Sequence, residues 1–76
     1  MTKKQAFAEA TRRWFIPNPA GGQALRVAIA FLGHRNNPMR YRVGHSTPSG
    51  QYVECGASNK SWEEAFLDAD QRAGSP

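Results

Sequence analysis

The apolar residues of this chain repeat at a helical spacing, then at every second residue, then at a helical spacing again. This double change of period most restricts the fold, because helices and strands place same-face residues at different intervals. The last helical stretch, Asn59 to Gly74 (NKSWEEAFLDADQRAG), is the clearest. Ser61-Trp62-Glu63-Glu64 fits a capping box, in which the Ser61 hydroxyl accepts from the Glu64 N–H and the Glu64 carboxylate reaches back to the Ser61 N–H. Trp62, Ala65, Phe66, Ala69 and Ala73 then fall on one helical face. Glu63 and Glu64 suit the positive end of the helix dipole. Arg72 suits the other end, and Gly74 is expected to leave the helix in a left-handed conformation.

The first helical stretch runs from Thr2 to Phe15. Thr2-Lys3-Lys4-Gln5 forms a weaker capping box. Phe7, Ala10 and Trp14 make the apolar stripe, with Ala6 beside it. Pro17 disfavours helical geometry at Ile16 and ends the element. The Pro17–Gly22 segment, PNPAGG, is a loop by composition.

Between the helices lie three strand-like stretches. Gln23 to Leu32 alternates, with Leu25, Val27, Ile29 and Phe31 on one side and Ala24, Arg26, Ala28 and Ala30 on the other. Met39 to His45 alternates again, Met39, Tyr41 and Val43 against Arg40 and Arg42. Gln51 to Cys55 is a short third strand, with Val53 and Cys55 inward and Tyr52 and Glu54 outward. Turn-rich segments at 33–38 and 46–50 join them. The expected fold is therefore a single α+β domain over residues 1–76, in the order α-β-β-β-α, with a three-stranded antiparallel sheet. Both helices should bury their aromatic stripes on one sheet face. In that arrangement Trp62, Phe66, Phe7 and Trp14 meet Leu25, Val27, Ile29, Phe31, Tyr41 and Val43. The opposite face is left open, with Ala24, Ala28 and Ala30 as its floor.

A chain of 76 residues supports one thin core and leaves little room for a buried catalytic cleft. Cys55 is the only cysteine, so no internal disulfide forms and a reducing cytoplasm is expected. No apolar run reaches the length of a membrane span, and no apolar core follows the N-terminal lysines as in a secretory signal. The formal charge of +4 is uneven: residues 1–16 and 17–58 each carry +3, and residues 59–76 carry −2. A positive body suits an acidic partner, protein or nucleic acid.

The expected binding surface is the open sheet face, carrying Arg26, Arg40, Arg42 and Tyr52, with Arg35 in the adjoining turn. Guanidinium groups pair bidentately with carboxylate or phosphate and stack on aromatic rings, and Arg and Tyr are enriched among residues that dominate interfaces. His34, His45 and Cys55 show no metal-ligand spacing, so no zinc site is expected. Glu63, Glu64, Asp68 and Asp70 are explained by a helix N-terminus and a solvated face. Gly21-Gly22 precedes a strand, unlike a phosphate loop, which follows one. No enzyme, cofactor or metal is expected.

Two resemblances bear on function. The helix–three strands–helix order and the length resemble the double-stranded-RNA-binding domain, and GASNKSWEEAFLDAD falls where that family passes from its last strand into its last helix. The family holds phosphates with lysines at the start of that helix. Here Lys60 is followed by Glu63 and Glu64, so no RNA-contact residue carries over. The chain also resembles small orphan proteins of phages and prophages of GC-rich bacteria. MTKKQAFAEATRRW and SWEEAFLDAD, together about a third of the chain, carry that similarity. It implies an anti-CRISPR inhibitor, a monomer in the host cytoplasm. Such a protein would bind a protein subunit of a type I CRISPR surveillance complex and block target-DNA binding or nuclease recruitment. The positive charge argues against an inhibitor that mimics DNA. The other expectation is a small basic nucleic-acid-binding module, such as a phage regulator.

Overall fold

The computed structural model describes residues 1–74. It contains α1 (Lys3–Trp14), β1 (Val27–Leu32), β2 (Tyr41–Ser46), β3 (Tyr52–Ser58) and α2 (Trp62–Ala73). The strands form an antiparallel meander in the order β1-β2-β3. The order is α-β-β-β-α, and both helices cover one face of the sheet. No helix among the described residues is long and apolar enough to cross a membrane.

The strand boundaries differ from expectation, slightly at β2, which runs Tyr41–Ser46 rather than Met39–His45, and most at the start of β1 and the end of β3. β1 starts at Val27 rather than Gln23, because Leu25 and Arg26 give their N–H groups to the Ile16 carbonyl instead. β3 runs past Cys55 to Ser58. A bulge at Val43/Gly44 absorbs one residue of β3, so Gly56, Ala57 and Ser58 still pair with Val43, Arg42 and Tyr41.

Both caps form. At α1 the box is complete: the Thr2 hydroxyl accepts from the Gln5 N–H and the Gln5 side chain accepts from the Thr2 N–H. At α2 Ser61 accepts from the Glu64 N–H at 3.1 Å. The Glu64 side chain is exposed to water, which hydrates it without the return bond. Gly74 leaves α2 at φ −83°, right-handed rather than left-handed. Its N–H bonds to the Asp70 carbonyl, so the helical pattern simply continues through it.

The assignment of β1 to the two faces is the reverse of that expected. Ala28 and Ala30 are buried, whereas Leu25 and Val27 are 45% and 41% exposed. Register explains the reversal. Ala28 pairs with His45, Ala30 with Val43 and Leu32 with Tyr41. Val43 is wholly buried and Tyr41 meets the Trp62 ring edge-on, so this row faces the helices. Ala6 and Ala10 of α1 join Ala28 and Ala30 in the core, and four small side chains let the helix approach closely. Phe7, expected in the core, is 49% exposed, because that alanine contact leaves no room for a phenyl ring.

The bulk of the core comes from α2. Trp62 and Phe66 are buried, and Trp14 stacks on Phe66 at 6.0 Å. Arg13 ties the helices together: it bonds Asp70 at 2.7 Å and lies over the Phe66 ring at 4.9 Å. β3 meets α2 through Gly56, where a Cβ would strike the Ala65 carbonyl oxygen and approach the Ala69 Cβ to 2.8 Å.

Candidate functional site

The open face of the sheet is set by the other parity. Val27 pairs with Ser46, Ile29 with Gly44 and Phe31 with Arg42. Beyond β2, Gly44 pairs with Glu54 and Ser46 with Tyr52. Gly44 leaves the middle of this face without a side chain. Phe31 and Tyr52 belong to rows four residues apart on β2, yet their rings meet edge-to-face at 5.4 Å across that gap. A Cβ at Gly44 would strike the Val53 carbonyl oxygen, so the position also demands glycine for close strand approach.

Arg42 is held from two sides. Its Nε donates to Glu54 Oε1 at 2.5 Å, and its guanidinium lies 5.4 Å from the centre of the Phe31 ring. The Glu54 bond raises the Arg42 pKa above its already high value, so the charge is permanent. The Tyr52 hydroxyl is buried and has no hydrogen-bond partner. Burial pushes its pKa up to about 12, with Glu54 adding to the effect. The result is a pre-ordered patch of Ile29, Phe31, Tyr52 and Arg42, flanked by exposed Val27. It can stack on a planar or aliphatic group and offer the guanidinium's remaining donors to an acceptor.

Of the five expected binding residues, only Arg42 and Tyr52 come together here. Arg26 lies just before β1 with the parity of Ala28, so it belongs to the covered side. There its charge acts on His45 and Cys55. The expectation of one Arg26/Arg40/Arg42 cluster fails for a specific reason. The period-two rule relates residues within one strand only. The register pairs odd positions of β1 with even positions of β2, which puts Arg26 and Arg42 on opposite sides. Arg40 sits one step before β2; its carbonyl accepts from Gly33, and its Nε is buried without a partner. Arg35 is exposed in the β1–β2 connection. The expected floor is also absent, since Ala28 and Ala30 lie under α1. Val27, Ile29 and Phe31 were missed as members of the open face. The signal for them was the run of alanines at 24, 28 and 30, matched by Ala6 and Ala10 in the first helix.

Burial shapes the other reactive groups, and His45 Nδ1 is buried without a hydrogen-bond partner. Burial pushes the Cys55 thiol pKa up, and burial followed by the Arg26 charge pushes His45 down. A thiol held protonated by burial is a poor nucleophile. Among the described residues no three His, Cys, Asp or Glu side chains gather as a metal site. Glu63 binds the N-terminal amine at 2.8 Å. Asp68 accepts from the Ala57 N–H at 3.0 Å and pairs with Arg72. Glu9 takes Arg12 and Arg13, whose hydrogen bonds hold its pKa down to about 2. Comparison with known proteins finds no matching family model, no similar curated protein and no similar solved structure.

Proposed function

We propose that this chain is a non-enzymatic binding protein of the anti-CRISPR kind, which docks the open face of its sheet on a protein subunit of a type I CRISPR surveillance complex. It acts by occupying the surface where target DNA or the nuclease would bind. The observation that carries the binding role is the Phe31–Tyr52–Arg42 patch. It combines the residue types that dominate protein interfaces, and its geometry is fixed before any partner arrives. A pre-ordered patch loses less side-chain entropy on binding. The target class comes from the phage-protein resemblance alone. The alternative, nucleic-acid binding, is disfavoured at the α2 N-terminus, where Glu63 and Glu64 face any approaching phosphate.

The test is the double variant Phe31→Ala, Arg42→Ala against a purified type I surveillance complex, with circular dichroism as a control for folding. Truncating two interface anchors is expected to weaken binding by at least about a hundredfold. Wild-type affinity in a folded double variant removes the open face as the site. Tight binding to random duplex DNA that collapses with added salt favours the nucleic-acid reading instead.

A further inference from the structure

The two edges of the sheet are treated differently. The β3 edge is guarded from α2, whose Asp68 carboxylate accepts from the Ala57 N–H. A bulge further disrupts the pairing of β3 with β2. These are devices by which sheets protect an edge from pairing with another chain. On the β1 side α1 covers the sheet face as α2 does over β3, but among the described residues no side chain bonds a β1 backbone group. The β1 sequence is VAIAFL, uncharged and free of proline, with no bulge against β2. Its one guard is Ile16, which bridges Arg26 just before the strand begins.

Hydrogen-bond alternation identifies the free groups. Arg26 sends both its N–H and its C=O to Ile16, on the side away from β2. At the other end Gly33 gives its N–H to the Arg40 carbonyl, toward β2. Between them the backbone groups of Ala28, Ala30 and Leu32 point to the free side. Leu32 is 40% exposed at this edge. Phe7 lies roughly 160° around α1 from Glu9 at the spacing of an α-helix. Glu9 shares Arg13 with Asp70 of α2, so Phe7 stands on the flank away from α2 and above this edge.

Charge completes the description. Among the described residues, Lys3, Lys4, Arg26, Arg35, Arg40 and Lys60 make no ion pair. Lys3 and Lys4 lie on α1, Arg26 precedes β1, Arg35 and Arg40 lie in the β1–β2 connection, and Lys60 precedes α2. The acidic side chains, by contrast, are engaged in pairs on α1, β3 and α2, apart from Glu64. We infer that the β1 edge accepts an extended, acidic segment of a protein partner as a fourth strand. Backbone groups of Ala28, Ala30 and Leu32 supply the pairing, and the unpaired cations at its ends select glutamate- or aspartate-flanked sequence. This site is separate from the open face, and its partner need not be the same molecule.

The test uses the whole chain, labelled for amide NMR. The probe is a synthetic peptide of alternating valine and threonine flanked on both sides by glutamates. Binding is expected to slow hydrogen exchange at the Ala28, Ala30 and Leu32 amides and to leave Val27, Ile29 and Phe31, already bonded to β2, unchanged. The same peptide N-methylated at alternate residues cannot pair, and its affinity is expected to fall at least about tenfold. A lysine-flanked version is expected to fall by a similar factor at low salt. Leu32→Pro in the protein removes an edge-facing N–H, together with the leucine side chain, and is expected to act like the N-methylated peptide. The N-methylated peptide decides the matter if that variant does not fold. Four results overturn the inference: no slowing at the three amides, slowing that appears without peptide because two copies pair, equal binding of the glutamate and lysine peptides, or displacement of the peptide by a nucleic-acid duplex.

Discussion

The two faces of the sheet divide their residues against the usual pattern. The covered face is floored by Ala28, Ala30, Val43 and Gly56, while the open face carries Ile29, Phe31, Tyr52 and Arg42. Bulk is needed only once in a core this thin. Here the helices bring it, as Trp62, Phe66 and Trp14, and the strands supply the flat floor on which those rings rest. The larger strand residues are then left on the side without helices. An exposed aliphatic and aromatic sheet face is therefore a consequence of how α1 and α2 pack, and it is also the surface offered to a partner.

That division is broken most severely at Phe66. Phe66→Ala removes the ring that contacts Trp14 and Arg13, and it is expected to cost about 3–5 kcal/mol, enough to unfold most of the population. Urea unfolding measures it. An unchanged midpoint would mean that the core lies elsewhere.

The next largest effect compares one substitution on each side. Gly56→Ala places a methyl against the Ala65 carbonyl and within 2.8 Å of the Ala69 Cβ, and overpacking of this kind costs about 1–3 kcal/mol. On the open face, Val27→Thr keeps the shape of an exposed side chain and is expected to change stability by less than about 0.5 kcal/mol. The same thermal melts report both, and equal losses would erase the distinction between the faces.

The smallest effect is a pH dependence that begins on the covered face. Burial, with the Arg26 charge, lowers the His45 pKa from its ordinary value of 6.5. The unfolded chain therefore binds a proton near that pH that the folded chain refuses, and stability falls as pH drops below 6.5. The melting temperature is expected to decline between pH 7 and pH 5, and His45→Gln is expected to flatten that decline. Below pH 4.5 a second loss begins, as protonation of Glu9, held down to about 2 when folded, removes its two arginine pairs. A flat profile from pH 7 to pH 5 in the wild-type chain would place His45 in solvent.

The sequence by itself determined the elements, their order and the helix ends. Thr2 and Ser61 cap the helices because a short side-chain oxygen reaches the amide three residues on, and that geometry is local. The alternation in β1, β2 and β3 is likewise a property of neighbouring residues, and so is the burial of Trp62 and Phe66 on one helical face. Only the tertiary structure decided which side of β1 faces the helices. A period of two is unchanged when the faces are exchanged, so alternation alone cannot choose between Ala28/Ala30 and Ile29/Phe31. The choice is made by the register that pairs Ala30 with buried Val43, and by the close approach of Ala6 and Ala10 on α1. The same register separates Arg26 from Arg42, and the bulge at Val43/Gly44 carries β3 past Cys55. Each of these depends on contacts between segments distant in the chain, so no single segment records them.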